Sequence, residues 1–241
     1  MNMCRCVDKI GTEAHNLGVP KFEAKRLSKS VEDYLKVIWL HTREGPVATG
    51  TVATALDVSD ASVSGMLARL TDLGLVRYAR YHGAQLTPAG EGAALRLVRR
   101  HRLIETFLLD YLGYGWDEVH GEAEALEHAV SERFTERLAA RLGHPQHDPH
   151  GDPIPSAEGT LPDTPDVPLA ELRVGQALEV ARLKTQDADV LAYLAERRVQ
   201  PGAVLRVTRQ EPLGGLVEVE LAGKRTALSK TLATLVRGRL L

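Results

Sequence analysis

Four metal-ligating side chains recur at helical spacing between residues 120 and 128. They stand at positions i, i+4, i+7 and i+8 and are His120, Glu124, Glu127 and His128. On an α-helix, which turns by about 100° per residue, these positions form one stripe about 100° wide. Carboxylates on a helix surface usually pair with a Lys or Arg one turn away, but residues 119–131 contain no basic residue. The stripe therefore predicts a bound cation.

Further oxygen and imidazole donors lie on two helices predicted before this stripe. His101 and Glu105 stand at i and i+4, and Glu32 and Asp33 lie on the first helix. Donors of this kind without thiolate suit Mn²⁺, Fe²⁺ or Zn²⁺, and the number of carboxylates favours the harder ions. The sequence has no HExxH, P-loop or GxGxxG motif, and the Glu-x-x-His repeat of di-iron bundles is missing from this stretch. We therefore expect a metal sensor rather than an enzyme.

The elements that must position these donors are mainly helical before residue 143. Apolar residues recur at i, i+3, i+4 and i+7 over residues 31–38, which is typical of an amphipathic helix. Thr87-Pro88 is typical of a helix start and begins a long helix to about residue 111. We predict a last long helix over residues 116–142. Its neighbouring apolar face is expected to be buried through Leu126, Val130 and Phe134.

A winged helix-turn-helix is predicted between the first helix and the long helices. A short helix covers residues 47–56, and Ser59 caps a third helix that runs to about residue 73. Residues 75–81 and 84–87 then read as two strands of a hairpin with a His-Gly turn. A helical bundle with a surface hairpin is the alternative. Hydroxyl groups at a helix N-terminus and guanidinium groups in a wing suit phosphate contacts. The candidate DNA contacts are Thr49, Ser59, Ala61, Ser62, Ser64, Gly65, Arg69, Arg77 and Arg80.

The composition is that of a globular protein, with 241 residues, 44% hydrophobic residues and a net charge of −2. This excludes collagen-like, low-complexity and wholly disordered classes. No apolar run reaches the roughly 20 residues of a membrane span. The first residues lack the apolar core of a signal peptide, so we expect a cytoplasmic location. The two cysteines, Cys4 and Cys6, are too few to stabilise the fold through disulfide bonds. They are expected to lie in a frayed N-terminal extension.

The near-neutral net charge averages two regions of opposite sign. Residues 29–100 contain nine Lys or Arg and seven Asp or Glu, whereas residues 101–142 contain four and nine. Positive charge therefore accompanies the predicted winged helix, as phosphate contacts require.

A segment rich in proline separates these helices from a different C-terminal part. Seven of the twelve prolines fall within residues 143–168, which predicts an inter-domain linker. Strands are predicted over residues 174–183, 204–209 and 216–221, with a short helix over residues 187–198. The C-terminal part is therefore expected to be small and mainly β.

Several motifs in a fixed order resemble the DtxR/MntR family of metal-dependent transcriptional repressors. After the winged helix they are RRHRLIETFL, VHGEAEALEH and HPQHDPHGDPIP. The later RVQPGAVLRV and GGLVEVELAGKRTALSKTLATLV resemble the SH3-like, FeoA-type domain of long members. The resemblance implies a mainly α N-terminal part, with a winged helix-turn-helix and a helical dimerisation domain, and a small β-rich SH3-like C-terminal domain. The predicted parts are an N-terminal extension (1–26), a DNA-binding domain (27–95), a dimerisation and metal-binding domain (96–142), a linker (143–168) and an SH3-like domain (169–241).

The resemblance also implies a primary metal site. Its ligand on the first helix falls on Asp33, and the others fall on Glu124, Glu127 and His128. Members tuned to iron carry Met and Cys at the positions of Asp33 and Glu124. Oxygen at both positions implies the manganese branch, which agrees with the hardness of the donors.

A second metal site is implied by the match of His101, Glu105 and His120 to the ancillary site of the iron branch. The nearest equivalents of its ligands from the SH3-like domain are Gln186 and Asp189. Short manganese-branch members have a Glu ligand where this chain has Lys36, which argues against a binuclear site of their type. The linker histidines are expected to lie in a solvated loop: His144, His147 and His150.

The resulting prediction is a cytoplasmic, homodimeric, Mn²⁺-responsive repressor of metal-uptake genes. Its expected partner is a palindromic operator in double-stranded DNA, with no membrane and no small-molecule substrate. An Fe²⁺-responsive regulator of the same family is one alternative. Two others come from different classes: a winged-helix regulator that senses an organic ligand, and a metalloenzyme.

Overall fold

A computed structural model of the chain describes residues 27–42, 45–163, 166–211 and 215–241. Their buried apolar side chains form three separate hydrophobic cores, which follow one another along the chain. The predicted frayed extension with Cys4 and Cys6 lies outside the described residues. None of the helices in the described part of the chain combines the length and apolar character that a membrane span needs.

The first core is enclosed by three helices and a two-stranded antiparallel hairpin. The elements are α1 (Lys29–His41), α2 (Thr49–Leu56), α3 (Asp60–Asp72), β1 (Val76–Ala79) and β2 (Gly83–Leu86). Ser59 caps α3 as predicted, and its hydroxyl accepts a hydrogen bond from the Ser62 amide at 3.3 Å. Gly83 begins β2 with a φ of +84°, and a Cβ there would lie 2.7 Å from the Val47 carbonyl oxygen. The predicted winged helix-turn-helix is confirmed.

The second core is formed by one long helix and two short ones. They are α4 (Pro88–Leu112), α5 (Val119–Leu126) and α6 (Glu132–Arg141). Thr87 caps α4 as predicted, because its hydroxyl accepts a hydrogen bond from the Gly90 amide at 3.1 Å. At the other end Gly113 takes a φ of +73°, which ends the helix in the left-handed conformation.

The prediction of a single last helix over residues 116–142 is wrong. The helix breaks after Leu126, because Ser131 has extended backbone and caps a new helix by accepting from the Phe134 amide at 3.2 Å. The break also overturns the prediction of one apolar face. Phe134 is 46% exposed, since α6 packs instead through other residues. Leu126 is also exposed, and Val130 is half-buried.

The third core lies under a six-stranded antiparallel sheet, so the prediction of a mainly β C-terminal part is confirmed. The strand order is β3-β8-β4-β5-β6-β7. The elements are β3 (Val167–Pro168), β4 (Ala177–Leu183), α7 (Ala188–Glu196), β5 (Val204–Gln210), β6 (Leu216–Leu221), β7 (Lys224–Ser229), α8 (Lys230–Leu235) and β8 (Val236–Leu240). The sequence patterns indicated β4, α7, β5 and β6 but not β3, β7, α8 or β8.

Two glycines of α4 should respond in opposite ways to alanine. At Gly90 a Cβ would lie 2.0 Å from the Leu75 carbonyl oxygen, so Gly90→Ala should lower the free energy of unfolding by about 1–3 kcal/mol or more. At Gly92 the nearest atom is the Arg96 side chain at 3.6 Å, so Gly92→Ala should stabilise the helix by up to about 1 kcal/mol. Urea denaturation measures both. A Gly90→Ala variant as stable as the wild type would contradict the packing of α4 against Leu75.

Candidate metal centre and DNA interface

Three groups of His, Asp and Glu side chains bring ligand atoms within 4.8 Å of one another in the part of the chain that the structure describes. They surround the buried middle of α4. The hinge cluster is Asp33, Glu127 and His128, the α4 cluster is His101, Glu105 and His120, and the linker cluster is Glu105, Asp148 and His150.

The hinge cluster joins α1 to the turn between α5 and α6. Asp33 lies on α1, whereas Glu127 and His128 follow the last residue of α5. The His128 Nε2 atom lies 2.8 Å from Asp33 Oδ1 and 3.4 Å from Glu127 Oε1. The break in the predicted helix thus places Glu127 and His128 in a turn, where both face α1.

Lys36 and Arg100 supply the positive charge that the neighbouring sequence lacks. The Lys36 ammonium donates to both oxygens of Glu127 at 3.0 and 3.1 Å, and Arg100 donates to the Glu127 backbone carbonyl at 2.9 Å. The expectation that the acidic stripe has no basic partner is therefore wrong for Glu127. The two cations come from α1 and α4, which are distant along the chain.

The α4 cluster centres on the buried imidazole of His101. Its Nδ1 lies 2.7 Å from Glu127 Oε2, and its Nε2 lies 2.9 Å from Glu105 Oε1. Burial lowers the pKa of His101, but the two carboxylates outweigh it and raise that pKa to about 9. Burial likewise raises the pKa of Glu105, yet His101 and His120 outweigh it and hold that pKa below its usual range. Below about pH 9 the His101 ring therefore carries a proton on each nitrogen.

The linker cluster contradicts one prediction for the segment after α6. His150 is only 4% exposed, so the solvated-loop prediction is wrong for this histidine. The segment folds back onto α4, where Asp148 lies 3.5 Å from the Arg102 guanidinium. Burial and the carboxylates of Glu105 and Asp152 raise the pKa of Asp148 well above its usual range, against the opposing charge of Arg102.

The residues of these clusters fit a divalent cation. Their donor atoms are carboxylate oxygens and imidazole nitrogens, a set that Mn²⁺, Fe²⁺ and Zn²⁺ all accept. Burial raises the pKa of Asp33 as it does that of Asp148, although His128 and Lys29 oppose it at Asp33. A cation stabilises carboxylates whose negative charge is unfavourable in such surroundings.

Three predicted metal ligands lie apart from these clusters. Glu124 is 57% exposed and lies 3.5 Å from His120 Nε2 and 3.9 Å from the Lys36 ammonium. It therefore borders both the hinge cluster and the α4 cluster. Gln186 and Asp189 are exposed beside the start of α7, and their role as ligands stays a prediction.

Eight of the nine candidate DNA contacts are exposed on α3, at its Ser59 cap or in the hairpin, whereas Thr49 begins α2. Among the nine, only Thr49 is half-buried. Small side chains on the outer face of α3 leave room for close approach of a nucleic acid. In the hairpin, the Arg80 guanidinium lies 5.1 Å from the ring centre of Tyr81, which is 90% exposed at the turn.

Sequence reasoning missed several residues of the metal centre because their partners are remote. Lys36 enters the sequence-based prediction only as a departure from a family pattern, and Glu32 only as a further oxygen donor on the first helix. Arg100 has no role in that prediction. Asp148 and His150 form an Asp-Pro-His motif, but the proline-rich surroundings concealed their burial. The local signal for Glu32 is its position beside Asp33 on the amphipathic first helix.

Models of three protein domains match consecutive segments of the chain. The N-terminal DNA binding domain of iron dependent repressors matches residues 26–84, and their metal binding and dimerisation domain matches residues 87–156. The FeoA domain matches residues 167–240. The iron-dependent repressor IdeR of Mycobacterium tuberculosis is 35% identical over 210 residues, which make up 82% of this chain and 90% of the relative. The chain belongs to the DtxR family of metal-dependent transcriptional repressors.

Other members of the DtxR family are similar over most of their length. The diphtheria toxin repressor of Corynebacterium diphtheriae is 28% identical over 227 residues, covering 88% of this chain and 98% of the relative. A solved manganese-dependent transcriptional repressor in complex with manganese is 41% identical, with a TM-score of 0.82. That match covers 88% of this chain and 100% of the other. DtxR-family members are DNA-binding repressors rather than enzymes, which confirms the regulator prediction over the metalloenzyme alternative. The relatives include proteins named for iron and proteins named for manganese. The metal of this chain must therefore be argued from its own ligands.

The protonated His101 ring predicts a pH-dependent stability of the metal-free protein. Because its pKa is raised from the ordinary 6.5 to about 9, its stabilising effect is fully present below about pH 6.5 and is lost as the pH rises through 9. The free energy of unfolding should therefore fall by roughly 2–3 kcal/mol between about pH 7 and pH 9.5. Denaturant titrations in EDTA measure this fall. His101→Gln should flatten it, and an equal slope in the variant would refute the assignment.

Proposed function

We propose that this DtxR-family repressor responds to Mn²⁺. The primary site would use Asp33, Glu124, Glu127 and His128, and a second would use His101, Glu105 and His120. The observation that carries the proposal is the carboxylate on α1, since Asp33 Oδ1 lies 2.8 Å from His128 Nε2 where a softer sensor would have sulfur. Fe²⁺ is the second candidate, because the mycobacterial relatives are named for dependence on iron.

The hinge cluster supports a mechanism in which two domains are held in one orientation. Asp33 belongs to α1 of the DNA-binding domain, whereas Glu127 and His128 belong to the metal-binding and dimerisation domain. A divalent ion, when bound, supplies a double positive charge that these three side chains can share. Through such shared coordination the three residues restrict the movement of α1 relative to the α5–α6 turn. A coupling of about 1–3 kcal/mol would change DNA affinity about 5–150-fold.

With its domains held in this orientation, a homodimer of the chain would bind a palindromic operator in DNA. Two copies of α3 placed about 34 Å apart would enter successive major grooves, and the two arginines of each wing would reach the backbone. The dimerisation domain carries exposed apolar side chains that suit a contact between copies. They are Tyr111, Leu112 and Phe134.

The position of the Lys36 ammonium favours a single metal ion over a close pair of metal ions at the primary site. Its ammonium is buried and lies 3.0 Å from one Glu127 oxygen and 3.3 Å from His101 Nδ1. A second divalent ion between Glu127 and His101 would meet this fixed positive charge. The second ion is therefore better accommodated on the far side of His101, beside Glu105 and His120.

Mn²⁺ should strengthen operator binding by the wild-type chain about 5–150-fold relative to EDTA. Gel-shift titration on a library-selected palindrome measures the effect. Asp33→Ala should abolish most of it because α1 then lacks its ligand. The matched control is Asp110→Ala, which removes the same charge from an exposed position on α4. Equal DNA binding by the wild type with EDTA and with Mn²⁺ would refute the metal switch.

The ligand at position 124 should tune the choice of metal. Glu124→Cys should shift the affinity ratio from Mn²⁺ toward Zn²⁺ by on the order of tenfold or more, because a thiolate favours softer ions. Glu122→Cys places the same thiol on the same helix, outside the three clusters, and should leave the ratio unchanged. Competition titrations with a fluorescent chelator measure the ratio. An unaltered ratio in Glu124→Cys would remove Glu124 from the primary site.

A further inference from the structure

His128 has a second carboxylate partner on the side of its ring that faces away from the hinge cluster. Its Nδ1 lies 2.7 Å from Glu32 Oε2, while its Nε2 faces Asp33. We propose that Glu32 is a positioning residue that accepts the Nδ1 proton of His128 and thereby reserves Nε2 as the atom that binds metal. This inference rests on the proposed metal site at the hinge cluster.

The argument begins with the hydrogen-bonding capacity of the two side chains. A carboxylate oxygen accepts hydrogen bonds, so the short contact requires that His128 Nδ1 carries the proton. The 2.8 Å contact between Nε2 and Asp33 Oδ1 equally calls for a proton on Nε2, and a bound divalent cation would take the place of that proton. With its remaining proton held on Nδ1, the imidazole would then present the Nε2 lone pair to the metal. In metal sites, a carboxylate placed in this way fixes the tautomer and ring orientation and makes the ligating nitrogen more basic. The Glu32–His128 contact is therefore the arrangement that a histidine ligand needs.

Arg100 holds the Glu32 carboxylate in this position. The second oxygen of Glu32 lies 3.4 Å from Arg100 Nη2, and the same guanidinium donates to the Glu127 backbone carbonyl at 2.9 Å. Both Glu32 oxygens are therefore engaged, one by His128 and one by Arg100. The Glu32 side chain is 11% exposed, so its interactions are only weakly screened by water.

Glu32 and its neighbour Asp33 contact different nitrogens of the His128 ring. Asp33 faces His128 Nε2, the nitrogen that is 3.4 Å from Glu127 Oε1. Glu32 faces Nδ1 and lies on the opposite side of the ring, away from this convergence of ligand atoms. Glu32 therefore acts on the metal through His128 and is not itself a ligand.

Calorimetric titration of the full chain with MnCl₂ tests the role of Glu32. Glu32→Ala should weaken Mn²⁺ binding about 10–100-fold, the cost expected when a histidine ligand loses its carboxylate partner. Glu32→Gln should weaken it less, because an amide oxygen can still accept the Nδ1 proton. The matched control is Glu132→Gln, since Glu132 lies 3.1 Å from the same Arg100 guanidinium and has no contact with His128 among the described hydrogen bonds. That variant should bind Mn²⁺ as the wild type does.

The outcomes separate this inference from the proposed function. Absence of Mn²⁺ binding in the wild type would refute the metal site itself. Wild-type affinity in Glu32→Ala would overturn the positioning role alone. Equal weakening in Glu32→Ala and Glu132→Gln would also overturn it, because the effect would then follow from loss of a negative charge beside Arg100.

A spectroscopic measurement distinguishes positioning from a purely structural contact. In ¹⁵N-histidine-labelled protein loaded with diamagnetic Zn²⁺, the His128 ring should show a protonated, hydrogen-bonded Nδ1 and a metal-bound Nε2. Glu32→Ala should lose the hydrogen-bonded Nδ1 signal, and Glu132→Gln should keep it. An unchanged His128 ring spectrum in Glu32→Ala would mean that Glu32 only holds α1 against α4.

Discussion

The carboxylate of Glu127 lies in the protein interior, where α1, α4 and the α5–α6 turn meet. A buried charge is costly unless it is paired and hydrogen-bonded, and Glu127 is only 1% exposed. Its partners come from different segments, with Lys36 on α1 at 3.0 Å and His101 on α4 at 2.7 Å. The three segments must therefore converge on this residue. Removing one partner of such a buried group typically costs about 3–5 kcal/mol, so their relative positions are strongly constrained.

The same need for paired charges extends from α4 to the C-terminal sheet. Arg102 on α4 lies 3.6 Å from Asp152, and Asp152 lies 3.5 Å from Arg182 on β4. Arg182 also contacts Asp166, which pairs with Arg237 on β8 at 2.6 Å. Opposite charges thus alternate from the metal-binding domain through the linker into the FeoA domain. The proline-rich segment is irregular but belongs to the packed structure.

Protons and basic side chains balance the buried carboxylates of this centre. His101 is doubly protonated between Glu105 and Glu127, and Lys36 lies beside them as a permanent cation. A divalent ion can displace the proton of His101 but not the tethered ammonium of Lys36. At the proposed Mn²⁺ sites, the number of ions would therefore be limited by Lys36 of α1, which is not among the proposed ligands.

Much of the fold was predictable because its signals are local. Caps such as Ser59 and Thr87 act within one helical turn, so the start of α3 and of α4 could be predicted closely. The break after Leu126 escaped prediction because the apolar periodicity continues across it. The Ser131 cap marks the start of α6 locally, but nothing in the local pattern shows that the α5–α6 turn packs against α1. The last strand, β8, also escaped prediction, since it pairs with β4, which lies far back along the chain.

The sequence by itself determined the chemistry of the centre, because the donors are written in residue types: Asp33 and Glu127 supply oxygen, and His128 supplies imidazole. The helical spacing of His120, Glu124, Glu127 and His128 predicted a cation, although the helix ends at Leu126. Only the tertiary structure decided which cations and carboxylates surround them. Lys36 and Glu127 are 91 residues apart, and Glu32 and His128 are 96 apart. Pairing over such separations depends on how the helices pack, and the physical reason is the cost of leaving any of these buried charges without a partner.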